Sequence, residues 1–157
     1  IGHIYSSLHY TVNRMRHQGF LDAMADHGLT VEPRLLAEAN YLRESSCAAA
    51  TRLLSLPHRP TALFCMDDYK AVSALSVATS MKLRVPEDIS IMGHNDYNIS
   101  TIIYPALTTV HVPLYHLGSN AADLVVQAIK HPEEPIKNIL LPSHIVERDS
   151  VAAPPCA

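Results

Sequence analysis

The polar residues with the clearest chemical potential stand where apolar runs end. Ile89, Ile91 and Met92 lead through Gly93 to His94, Asn95, Asp96 and Tyr97. Thr61 to Met66 leads to Asp67 and Asp68, and Val31 to Ala39 leads to Asn40 and Tyr41. Arg14, Arg16 and His17 precede Gly19 and Phe20 in the stretch that follows Ile1 to Tyr5. A guanidinium fork suits the paired hydroxyls or the carboxylate of a small polar molecule. An ionised carboxylate only accepts hydrogen bonds, whereas an amide both donates and accepts. Such groups can hold and orient a ligand without making or breaking a bond. Taken singly, each also has a plainer role: Arg16 as a solvated charge, Tyr41 as packing, and Asp67 and Asp68 as carboxylates stabilised by the dipole of a first helical turn.

Bond-making chemistry finds no support in the spacing. Ten histidines are present, yet none pairs at i, i+4, and neither a His-Glu-x-x-His nor a Cys-x-x-Cys motif accompanies them. Five glycines form neither a dinucleotide fingerprint nor a Walker loop, and no nucleophile elbow occurs. The expectation is a protein that is not an enzyme and uses no cofactor or metal.

The elements that would position these residues alternate. Strands are expected at 1–5, 31–39, 61–66 and 88–93, with helices near 11–28, 44–56 and 68–82. This order predicts an α/β fold with a parallel sheet flanked by helices, whose ligands bind at the carboxyl ends of the strands. Thr11 is the expected cap of the first helix, and Gly28 suits its end. The β-branched run Leu107 to Val110 after Pro105 marks a further extended segment that need not belong to the same sheet. Beyond it Leu117, Ala121, Leu124, Val125, Ala128 and Ile129 fall on one face of an amphipathic helix. Asn138 to Glu147 supplies a last strand, and Pro154-Pro155 marks a tail.

Composition sets outer bounds. A chain of 157 residues, 48% hydrophobic and 17% charged, has the make-up of one globular domain with its own core. A formal net charge of -3 without a Lys/Arg-rich run argues against this chain gripping a polyanion by itself. Cys47, Cys65 and Cys156 are widely spaced and odd in number, which suits reduced thiols in a cytoplasmic protein. No apolar run approaches the roughly 20 residues that span a bilayer, so no membrane partner is expected.

The segments "RPTALFCMDDYKAVSAL", "RVPEDISIMG" and "PALTTV" resemble the effector-binding domain of the lactose-repressor family of transcription regulators. The resemblance covers essentially the whole chain. It implies a periplasmic-binding-protein-like (flavodoxin-like) lobe with an incomplete second lobe: 1–106 as the C-terminal lobe, 107–138 as a crossover strand and helix belonging to the N-terminal lobe, and 139–157 as a return strand and tail. It implies a ligand site at Arg16, Tyr41, Asp67 and Asn95, with the arginine reaching the effector and the aromatic ring stacking on it. The family's usual Asn-Asp pair stands here as Asp67-Asp68, and its Gly-aromatic-Asp stands as Gly93-His94-Asn95. Amide and carboxylate have exchanged places, which keeps one charge in the pocket but moves it. Tyr10 and Val12 stand where relatives often carry polar ligand contacts, another departure. The implied partners are a small polar effector, a sugar or nucleobase-like molecule, a second copy of the chain meeting it through Val72, Ile103 and Tyr104, and DNA only through an N-terminal helix-turn-helix absent from this chain. A periplasmic sugar-binding protein of a transport system, which shares the fold, is the alternative.

Overall fold

The computed structural model describes residues 1–135 and 137–154. The elements follow in the order β1 (Gly2–Tyr5), α1 (Thr11–Asp26), β2 (Leu36–Glu38), α2 (Arg43–Leu54), β3 (Ala62–Cys65), α3 (Asp68–Ser80), β4 (Ser90–Asn95), α4 (Ile99–Ile102), β5 (Thr108–His111), α5 (Leu114–Lys130) and β6 (His144–Val146). The strands form one sheet in the order β2-β1-β3-β4-β5-β6. It is parallel throughout except where β6 runs against β5.

Strand alternation divides the interior in two. Register pairs Ile4 with Cys65 and His3 with Phe64, so these pairs point to opposite faces. Ile4, Leu63, Cys65, Ile91 and Leu107 join Ala50, Leu53, Ala71, Ala74 and Ala78 of α2 and α3 in the main buried cluster. Alanines on the inner sides of these helices let them lie close to the strands and to each other. On the other face α1 buries Phe20 and Met24. The ring of Phe20 stacks 4.5 Å from that of His3, which lies 5.2 Å from Phe64.

Local differences from the sequence reading have local causes. The Thr11 hydroxyl accepts a hydrogen bond from Arg14 instead of capping, and α1 begins after Tyr10 with no side-chain cap. Gly28 takes φ +65, letting Leu29 N–H reach the Met24 carbonyl at 2.8 Å and close α1. Only Leu36–Glu38 of the expected 31–39 strand pairs with a neighbour, because a 3-10 turn over Pro33–Leu35 precedes it. β6 is likewise shorter than the expected 138–147.

The extended segment at 107 does not leave this sheet. β5 pairs with β4 in parallel, Met92 opposite Thr108 and Asn95 opposite His111. The β-branched residues Thr108, Thr109 and Val110 complete the ladder of β4. After β6 the chain returns into the same lobe: Ser150 Oγ accepts from Thr108 N–H at 2.9 Å and donates to the Ile91 carbonyl at 2.6 Å. α5 contrasts with all of this. None of its 17 residues is buried, and Val125 and Ile129 stay 59% and 75% exposed. Among the described residues, no helix is long and apolar enough to cross a membrane.

Candidate ligand-binding site

A cavity of about 660 Å³ opens at the carboxyl ends of β1, β3 and β4. Arg16, Tyr41, Asp67 and Asn95 all line it, although they come from four separate parts of the chain. Arg16 sits in the second turn of α1, on a side that leans over the sheet. Its guanidinium donates to the Met66 carbonyl and to Asn95 Oδ1, each at 3.3 Å. Burial lowers its pKa from the ordinary value, opposed by the fields of Tyr97, Asp67 and Tyr41.

Asn95 ends β4 with φ +108, and Asp96 follows at φ +56. Asn and Asp tolerate this left-handed region better than most residues, at about 1–3 kcal/mol of strain. The side chains beside them hold the bend. Asp96 accepts from Arg148 at 2.7 Å, His111 at 2.9 Å and Ser100 at 3.0 Å. Burial works against ionising Asp96, but these donors outweigh it and hold its pKa below the usual carboxylate range. Asn95 Oδ1 also lies 3.0 Å from His94 Nδ1. Burial and then the Arg16 charge lower the His94 pKa, so the imidazole favours its neutral form and can donate here. Both contacts fix the Asn95 carbonyl, and its amide nitrogen has no protein partner among the described residues.

Asp67 caps α3. Its Oδ1 accepts the Lys70 N–H at 2.9 Å and its Oδ2 the Lys70 ammonium at 2.7 Å. Lys70, 1% exposed, also places that ammonium 4.7 Å from the centre of the Tyr41 ring. Tyr41 is 72% exposed and presents its other side to solvent. The helix-cap reading of Asp67 thus holds together with its place in the cavity wall. Asp68 does neither. It is fully buried, accepts from Tyr97 N–H at 2.7 Å and from the Thr109 hydroxyl at 2.6 Å, and burial raises its pKa despite both bonds. A side chain at Gly93 would place its Cβ only 2.2 Å from Asp68 Oδ1, so this glycine makes room for the carboxylate.

Sequence reasoning missed Lys70 and Asn13, whereas Tyr97, named among the polar residues after Gly93, does line the cavity. Lys70 stands three residues after the capping Asp67, a spacing that places both on one helix side and was the available signal. Asn13 is 3% exposed and donates to the Ser7 carbonyl at 2.9 Å. Of the residues expected between copies, Val72 lines the cavity and Ile103 packs partly buried on the core. Tyr104 alone is open, at 95% exposure. Among the described residues, no three His, Cys, Asp or Glu side chains come together to hold a metal ion.

A mostly parallel sheet with polar side chains gathered around a cavity at its carboxyl edge has the form of a small-molecule binding lobe. Residues 1–151 match the model of the periplasmic binding protein-like domain. The chain is 38% identical over 137 residues to the HTH-type transcriptional repressor PurR of Haemophilus influenzae, covering 87% of this chain and 41% of that protein. It is 36% identical over 155 residues to PurR of Yersinia enterocolitica, covering 99% and 46%. Among solved structures it superposes on a LacI regulator from Bacillus cereus with TM-score 0.91 and 29% identity, covering 96% of this chain and 54% of that one. For the regulator CcpA of Lactococcus lactis the values are 0.86, 30%, 96% and 55%. The chain belongs to the periplasmic-binding-protein-like family, among the effector-binding domains of lactose-repressor-type regulators. It spans about half the length of the curated relatives it matches.

Proposed function

We propose that this chain is the ligand-sensing part of a bacterial transcriptional repressor. A small polar molecule binds in the cavity between this lobe and a second one, and the closed arrangement biases a DNA-binding domain carried elsewhere on the protein. The convergence of Arg16, Tyr41, Asp67 and Asn95 on one cavity is the observation that carries this reading. Arg16 grips the ligand, Tyr41 offers a ring for stacking, Asn95 donates from its unpaired amide nitrogen, and Asp67 orders the wall through Lys70. No bond is made or broken. One structural neighbour is a complex of the regulator CelR with cellobiose, which supports a sugar-like ligand class. α5 belongs to the second lobe, which would cover its apolar face. The protein works as a homodimer in which Tyr104, Ile103 and the neighbouring part of α3 at Val72 approach the partner copy. DNA contact falls to an N-terminal helix-turn-helix, a reading supported by the PurR relatives being named HTH-type repressors.

Arg16→Ala in the full-length protein tests the site. A charged hydrogen bond is worth roughly 1.5–3 kcal/mol, so effector affinity measured by calorimetry should fall more than tenfold. Unchanged affinity would remove Arg16 from the site.

A further inference from the structure

The cavity is unevenly charged. Its lining side chains include three cations, Arg16, Arg43 and Lys70, and one carboxylate, Asp67. That carboxylate is already occupied, since Lys70 takes both oxygens. The ammonium is 1% exposed and its charge is spent on Asp67. The nearby acids are turned away as well: Asp68 into Tyr97 and Thr109, and Asp96 into Arg148, His111 and Ser100. Arg16 is left with two long bonds to neutral oxygens, and no carboxylate pairs with it among the described residues. A partly desolvated guanidinium that feels Asp67 only at a distance, with no carboxylate bonded to it, is stabilised most by an anion, because the arriving charge restores the lost solvation and accepts a bidentate pair. Arg43 stands on the exposed rim of the same cavity and adds a positive field without closing it.

We propose that the ligand of this cavity carries an anionic group, a carboxylate or a phosphate ester, received by Arg16 beside the amide of Asn95. This rests on the ligand-sensing reading above and narrows it from small polar molecules to acids. Asn95 is then the specificity-determining residue. A neutral amide beside the guanidinium leaves room for the ligand's charge, where a carboxylate would fill it.

Calorimetry on the full-length protein with matched compounds tests this: glucose against glucuronate and glucose 6-phosphate, and ribose against ribose 5-phosphate. At least one acid should bind tenfold or more tightly than its neutral parent, with an affinity that falls as salt is added. The carboxylate and phosphate arms tell which anion is used. Asn95→Asp should reduce the ratio of acid to neutral affinity at least tenfold, and Arg16→Lys should retain part of it. Thermal unfolding of each variant confirms that it is folded. Neutral parents that bind as well as their acids, or an Asn95→Asp protein that keeps the full preference, would overturn the inference while leaving ligand sensing intact. Failure of every compound, neutral and acidic, would overturn the ligand-sensing reading and this inference with it.

Discussion

The chain leaves β3 through Asp67 and Asp68 and leaves β4 through Asn95 and Asp96, and the two exits divide their work in the same way. The first residue of each pair lines the cavity. The second turns inward and ties separate elements together: Asp68 joins α3 to the loop after β4 and to β5, and Asp96 joins that loop to β5 and to the returning chain at Arg148. The exits differ in how the first residue is held. Asp67 is extended at φ -152, caps a helix and is neutralised by its own lysine. Asn95 is uncharged, at φ +108, and fixed by Arg16 and His94 through one oxygen. Side-by-side residues at a strand end are thus split between recognition and architecture, and identity alone does not say which is which.

The largest expected effect breaks that division at its buried member. Asp68→Ala orphans the Tyr97 amide and the Thr109 hydroxyl, and two such losses cost about 2–5 kcal/mol. Urea denaturation should show this destabilisation, whereas Asn95→Ala should cost less than about 1 kcal/mol of stability. Equal losses at the two positions would abolish the distinction between wall and scaffold.

Acid titration sharpens the comparison, because the two inward carboxylates respond with opposite sign. Asp96 has a depressed pKa in the folded state. Its stabilisation is present above the unfolded carboxylate pKa of about 3.9 and is lost as pH falls through the lower folded value. Asp68 has a raised one. Between the unfolded value and that raised value the folded state holds the extra proton, so stability at this site decreases as pH rises through the interval. Stability measured from pH 7 downward should therefore show the penalty of Asp96→Asn shrinking and that of Asp68→Asn growing. Parallel curves for the two variants would contradict the assigned environments.

The smallest effect concerns the wall itself. Tyr41→Ala removes an exposed ring from beside the Lys70 ammonium, and a cation–π contact of this kind is worth about 0.5–1 kcal/mol. A shift in the melting temperature beyond a few degrees would mean that Tyr41 does more for the fold than its exposure suggests.

Much of this architecture was legible in the residues. The apolar runs at 1–5 and 61–66 each contain a strand, the run at 88–93 covers the first part of β4, which continues to Asn95, and polar residues at these strand ends do reach one cavity. α5 was legible as an amphipathic helix from its spacing alone, because helical periodicity is a local property. What covers it was not, since an apolar face states a need without naming the partner. The sheet that β5 joins was not legible for a related reason: a short β-branched run signals extension but carries no record of which strand will accept its hydrogen bonds.

By itself, the sequence determined the alternation of strands and helices, the places where the chain turns, and hence the edge on which ligand-holding side chains had to gather. Tertiary structure alone decided which member of each polar pair faces the cavity, that Lys70 consumes the charge of Asp67, and that Gly93 stands aside for Asp68. The physical reason is range. Periodicity and turn chemistry act over a few residues, whereas Asp68 finds its partners 29 and 41 positions away and Arg16 reaches Asn95 across 79, distances over which only the packed sheet brings donors and acceptors together.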